Sequence, residues 1–188
     1  SGPNLQNLTA HGDTSRPYIV RWGRQSSKAI VAPEGWVILK ADVGQEEPRI
    51  GAVMSQDEQF LSDMAHSDWY KEAAALAFEV PVGDVGKEQR QVGKRMSMAW
   101  LNRAGASGIK KSAFWLTDEA ATRFVRAMDS RYNTFTRWYE NLIEELKEVG
   151  YVSTYFGHRC ELHGIWSKSE ADVAAAMREA VPMVIQGT

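Results

Sequence analysis

Apolar residues recur along this chain with two different periods, and the change between them falls near Pro48. Residues 1–27 hold few apolar repeats and many Gly, Ser, Asn, Arg and Pro, the composition of an extended segment that follows a surface. Residues 29–41 carry two short β-prone runs, Ala29-Ile30-Val31-Ala32 and Trp36-Val37-Ile38-Leu39, separated by Pro33-Glu34-Gly35, which predicts a turn and then a strand running into Asp42. Beyond Pro48 the spacing becomes helical. Ile50, Val53 and Met54 fall at i, i+3 and i+4, and Phe60, Leu61 and Met64 repeat the pattern, so two or three helices fill 48–80.

After Pro81-Val82-Gly83 the spacing predicts one helix over Lys87–Leu101, closed by Gly105, with Arg90, Lys94 and Met98 on a shared face. Thr117 reads as an N-cap with Asp118 and Glu119 in the first turn. From there Phe124, Met128, Tyr132, Phe135, Tyr139, Ile143 and Leu146 continue a helical stripe to Gly150, too long for one ordinary helix, so a break is expected near Asn133-Thr134. Residues 151–156 and 159–162, around Gly157-His158, predict a hairpin, and Ser169 caps a last helix through about Met183. The fold class is therefore α/β (α+β), mostly helical, with no internal repeat.

Composition narrows the function classes only a little. With 44% hydrophobic and 24% charged residues, 188 residues can bury one core. A formal net charge of −2 excludes a uniformly basic nucleic-acid coat and leaves a local basic cleft open. The single cysteine, Cys160, excludes an intrachain disulfide framework. No apolar run approaches the roughly 20 residues of a membrane span, so no membrane partner and a cytoplasmic location are expected. The chain begins Ser1-Gly2-Pro3, which marks it as processed, trimmed or part of something longer.

The candidate chemistry starts at Asp42. An aspartate at the end of a rigid strand supplies a hard oxygen ligand for a divalent metal, and the same residue type in that position also serves as a turn former or helix cap. Arg90 and Lys94, four residues apart on a helix, can face one polyphosphate together, the arginine as a fork and the lysine as a point charge. The same pair also fits a solvated cationic face. His158, Cys160 and His163 are ordinary hairpin residues and carry no zinc reading. Of the tryptophans, Trp36, Trp69, Trp115 and Trp138 lie on apolar faces and are expected in the core, with Trp100 left as a possible base-stacking surface.

Asp42-Val43-Gly44-Gln45-Glu46-Glu47-Pro48-Arg49 resembles the first palm motif of family A (polymerase I type) DNA polymerases, Asp-Tyr-Ser-Gln-Ile-Glu-Leu-Arg, at four of eight positions. Its Gln-Glu-x-Pro-Arg form looks like that of phage-encoded relatives. Glu88-Gln89-Arg90 with Lys94 resembles the family's Glu-Gln-Arg-Arg-x-x-Lys, although the following Asn-Phe-Gly is Ser97-Met98-Ala99 and the family's Tyr-Gly is Asn102-Arg103. Pro3-Asn4-Leu5-Gln6-Asn7, Gly150-Tyr151-Val152-Ser153-Thr154 and Arg178 with Gln186-Gly187-Thr188 match further family segments, and the family's Asp-x-His appears as Asp68-Trp69-Tyr70.

The resemblance implies the fingers helices and part of an antiparallel palm sheet of a right-hand polymerase. It divides the chain into a partial palm segment at 1–47, fingers at 48–150, and a palm hairpin with the start of a DNA-contacting helix at 151–188. By resemblance Asp42 and the Val43 carbonyl bind two Mg²⁺ ions, and Arg90 and Lys94 act catalytically on the triphosphate. Gln45, Glu47, Met98 and Tyr70 face the nucleotide, with Glu47 as the gate against a ribose 2′-hydroxyl. Asn4, Gln6, Arg49, Asn102, Arg178 and Gln186 contact DNA. The implied partners are primer-template DNA, deoxynucleoside triphosphates, and a complementary polypeptide or remaining parent chain bearing a second catalytic aspartate. A polymerase-like module that binds nucleic acid or nucleotide without turnover, and a protein-interaction role for the helices after Thr117, are the alternatives.

Overall fold

The computed structural model describes residues 31–39 and 41–188, which divide into one unit up to Val43 and a second from Gly44 onward. In the first, the Trp36 amide donates to the Pro33 carbonyl at 3.0 Å and Gly35 has φ +78°, the positive value that the third residue of a type II turn requires. The turn is where the sequence predicts it. The strand into Asp42 does not form: residues 36–39 and 41–43 have no regular structure, and Val37 and Leu39 are each 89% exposed. A strand exists only through hydrogen bonds to a neighbour, and among the described residues no segment pairs with this one. Trp36, expected in the core, is 75% exposed.

Among the described residues the second unit holds eight helices: α1 Glu46–Ser55, α2 Glu58–His66, α3 Trp69–Phe78, α4 Lys87–Leu101, α5 Ala106–Ser112, α6 Asp118–Arg131, α7 Asn133–Val149 and α8 Glu170–Gln186. Strands β1 Tyr151–Ser153 and β2 Arg159–Glu161 pair antiparallel between α7 and α8, with Val152 opposite Cys160. This is the expected mostly helical α+β class. No described helix is long and apolar enough to cross a membrane.

Local capping explains several boundaries. Thr117 Oγ1 accepts from the Ala120 amide to start α6, Ser169 Oγ accepts from Asp172 to start α8, and Gly150 at φ +77° ends α7. The break between α6 and α7 falls at Tyr132. Gly105 does not close α4 as expected. That helix ends at Leu101 with Asn102 as C-cap, Arg103 takes the left-handed conformation at φ +57°, and Gly105 instead precedes α5. Arg103 is held there by side-chain contacts: a guanidinium nitrogen donates to Asp129 Oδ1 at 2.9 Å, and its Cζ lies 4.6 Å from the Tyr139 ring centroid. Those contacts supply the reason a non-glycine residue occupies this strained position.

The core of the helical unit is aromatic. Phe60, Trp69, Trp100, Tyr132 and Phe135 are buried together, with ring centroids from 4.6 Å to 6.4 Å apart. Trp100 is therefore core and no stacking surface; its indole donates to Asp129 at 2.9 Å, while Trp69 donates to the Tyr132 hydroxyl at 3.1 Å. Trp138 packs against this core, and Trp115 is half exposed against Phe78. A second cluster, including Leu146, Val152, Ile165, Ala180 and Val184, joins α7, the hairpin and α8. At the end of α8, Thr188 Oγ1 accepts from the Tyr155 amide and a Cβ on Gly187 would strike Thr154, so Gln186-Gly187-Thr188 is fastened to the hairpin turn.

Asp57, 3% exposed, caps two helices at once: Oδ1 accepts from the Phe60 amide of α2, and Oδ2 accepts from the Thr134 and Phe135 amides of α7. Asp57→Ala leaves two buried donors and one part-buried donor without their partner and is expected to cost about 2–4 kcal/mol, read as a lower urea midpoint at unchanged slope. A loss below about 1 kcal/mol would show that the three amides find other acceptors.

Candidate functional site

Helices α3 and α4 touch at a glycine. A Cβ on Gly93 would fall on the Tyr70 carbonyl oxygen and lie 2.8 Å from the Ala74 backbone nitrogen. Only hydrogen at that position lets the two backbones come so close. The approach sets the Tyr70 ring beside the exposed side of α4, where the Arg90 Cζ is 5.2 Å and the Lys94 Nζ 5.5 Å from its centroid. The Tyr70 hydroxyl is 4.0 Å from the Met98 sulfur. Tyr70 thus joins Arg90, Lys94 and Met98, predicted to share one helical face, in a single cluster.

Asp68 completes it. Its Oδ1 accepts from the Tyr70 and Lys71 amides at 3.2 Å and 3.4 Å, capping α3, and its Oδ2 accepts from Arg90 Nε at 2.6 Å. Burial raises the Tyr70 phenol above its ordinary value; Arg90 opposes that shift, while the charges of Glu47 and Asp68 reinforce it. The phenol is therefore a neutral donor at physiological pH. A polyanion meeting this surface encounters two cations and one hydroxyl donor, beside the Asp68 carboxylate that pairs with Arg90.

Glu47, in the first turn of α1, accepts at 3.4 Å from Gln186 Nε2 at the end of α8. Gln45, before α1, is left-handed at φ +58°, and its buried Oε1 has no hydrogen-bond partner among the described residues. Arg49 Nε donates to the Gly44 carbonyl at 2.9 Å. Asn102 ends α4, and Arg178 is exposed on α8. Asp42 and Val43 are exposed and belong to the first unit. Asp42 caps no described helix, since Gln45 precedes α1, which removes the capping reading of that aspartate. Asn4 and Gln6 lie outside the described residues.

Two contributors escape the sequence reading. Gly93 carried a signal, since a glycine inside a helical pattern usually marks a close approach. Asp68 was legible as a cap before α3, whereas its pairing with Arg90, 22 residues later, was not.

The family model of DNA polymerase family A matches residues 1–188. The chain belongs to DNA polymerase family A. It is similar to DNA polymerase I of Pseudomonas aeruginosa, 33% identical over 189 residues that cover all of this chain and 20% of that protein. It is also similar to the thermostable DNA polymerase I of Thermus filiformis, 30% identical over all of this chain and 22% of that protein. Among solved structures, the POL domain of Pol1 from M. smegmatis, in complex with DNA primer-template and dNTP, superposes with a TM-score of 0.82 at 28% identity, over 98% of this chain and 31% of that one. The chain spans about a fifth of the length of these curated relatives.

Proposed function

We propose that this chain is the fingers and part of the palm of a template-directed DNA polymerase, and that Tyr70, Arg90 and Lys94 receive the triphosphate of an incoming deoxynucleotide. The observation that carries the reading is the convergence of both cations on the Tyr70 ring across the Gly93 contact. The likeness to a POL domain solved with primer-template and dNTP supports it. In this reading residues 1–47 are partial palm, 48–150 fingers, and 151–188 a palm hairpin leading into a DNA-contacting helix. The assembled polymerase is assigned to the cytoplasm of a bacterium or of a phage-infected host.

The reaction is attack of a primer 3′-hydroxyl on the α-phosphate, with pyrophosphate leaving. Arg90 and Lys94 bind the β- and γ-phosphates and neutralise charge that grows on the leaving pyrophosphate. Tyr70 donates one hydrogen bond where family relatives have an imidazole, and Met98 offers an apolar, polarizable surface to the base. Glu47, with Gln186 against it, stands as the gate at the sugar, and Gln45 is assigned to the nucleotide. Arg49, Asn102, Arg178 and Gln186, with Asn4 and Gln6, are assigned to DNA.

Asp42 and the Val43 carbonyl are hard oxygen donors, the class that Mg²⁺ prefers, and their exposure leaves both available. Two Mg²⁺ ions held there would supply charge neutralisation and a more acidic primer hydroxyl. The described residues hold no group of three metal-ligating side chains. By resemblance to the family, the second carboxylate is assigned to the rest of the parent protein or to a complementary polypeptide, and turnover to that assembled polymerase.

Lys94→Ala in the assembled polymerase is expected to raise the KM for deoxynucleotide and lower kcat together, with kcat/KM falling about 10²-fold, because the cation meets the polyphosphate both before and during bond cleavage. Steady-state primer extension measures it, and wild-type kinetics would return Lys94 to a solvated face. Asn102, a non-aromatic residue where the family has tyrosine, favours the second reading, a module that binds nucleotide and DNA without turnover. Normal nucleotide binding with no extension by the assembled wild-type protein would select it.

A further inference from the structure

We propose that Asp68 is a positioning residue for the polyphosphate clamp: it holds the Arg90 guanidinium by Nε and so presents both terminal nitrogens as a fork. The inference rests on the assignment of Arg90 and Lys94 to the triphosphate.

The carboxylate is itself fixed. Oδ1 is pinned by two backbone amides of α3, and the Asp68 carbonyl accepts from the Lys71 and Glu72 amides at 2.8 Å and 3.0 Å. Oδ2 is thereby aimed at α4, where it meets Arg90 Nε. An arginine that pairs with a carboxylate in the fork manner uses up its terminal nitrogens. Arg90 pairs through Nε, and among the described residues neither terminal nitrogen has a hydrogen-bond partner. The Tyr70 ring bounds the guanidinium as well, so its direction is set by two neighbours. Among the described residues, Lys94 has the Tyr70 ring alone. The clamp thus combines one preset cation with one that adjusts, and the preset arm loses less freedom when phosphate arrives.

Electrostatics makes the idea testable by sign. Asp68 is an anion beside a polyanion's binding site, so removing its charge would tighten triphosphate binding if proximity were all that mattered. A purely structural cap would leave the affinity unchanged. Positioning predicts weaker binding.

The decisive measurement is calorimetric titration of the full-length protein with dGTP and Mg²⁺, on Asp68→Asn, Arg90→Ala and the double variant, with melting temperatures recorded. Asparagine is as good a helix N-cap as aspartate, so α3 keeps its start; Asp68→Ser serves the same purpose should Asp68→Asn melt early. Asp68→Asn is expected to weaken dGTP binding about tenfold. Arg90→Ala should weaken it at least as much, and the double variant should match Arg90→Ala, because Asp68 acts through that side chain. Unchanged or tighter binding by Asp68→Asn, beside a weakened Arg90→Ala, overturns the positioning role and leaves the triphosphate assignment intact. Additive losses in the double variant also overturn it. Wild-type affinity in Arg90→Ala overturns the triphosphate assignment and the positioning role with it.

Discussion

Gly93→Ala is expected to destabilise the chain by about 3 kcal/mol and to weaken triphosphate binding with it, although alanine is the better helix former by about 1 kcal/mol. The sign is decided by what the methyl meets. Its place is taken by the Tyr70 carbonyl oxygen and by Ala74, which are backbone and near-backbone atoms that no rotamer change can move aside. Helices α3 and α4 must therefore separate, and buried Tyr70, Ala73 and Ala74 lose packing against α4. The same separation carries Asp68 and Tyr70 away from Arg90 and Lys94, since all four depend on this contact for their alignment. Urea denaturation gives the first effect and dGTP titration the second. A variant as stable as wild type, or more so, would mean that the two backbones do not approach as described.

What could be read from the sequence was what is decided locally. Thr117, Ser169 and Gly150 set the ends of α6, α7 and α8 through atoms a few residues away, and α4 runs over the predicted Lys87–Leu101. The strand into Asp42 was misjudged because its β propensity has no ladder to join among the described residues. The residue that stops α4 was misjudged for a related reason. A glycine is the usual left-handed stop, but here Arg103 takes that conformation because Asp129 and Tyr139, distant in sequence, hold its side chain.

The candidate site divides along the same line. Arg90, Lys94 and Met98 were legible as one helical face, and the family resemblance gave them a substrate. That Tyr70 lies against both cations depends on how α3 crosses α4, and the only local trace of that crossing is Gly93. Asp57 shows the limit most clearly. Its bond to Phe60 is an ordinary cap three residues long, while its bonds to Thr134 and Phe135 span 77 and 78 residues.

Asp42→Ala is expected to lower primer extension by the assembled polymerase by about 10³-fold or more while primer-template binding stays within a few-fold. The substitution removes a proposed metal oxygen and no proposed DNA contact. Stability gives the argument its control. Asp42 is exposed and caps no described helix, so its replacement belongs with surface changes that cost within about 0.5 kcal/mol. An extension defect at wild-type melting temperature would thus reflect chemistry and not folding. Asp42→Asn sharpens the test, because it keeps the side chain's size and removes the charge that a divalent cation requires. If both variants extend primers within tenfold of wild type, Asp42 is a surface turn residue and the metal site of this polymerase lies elsewhere.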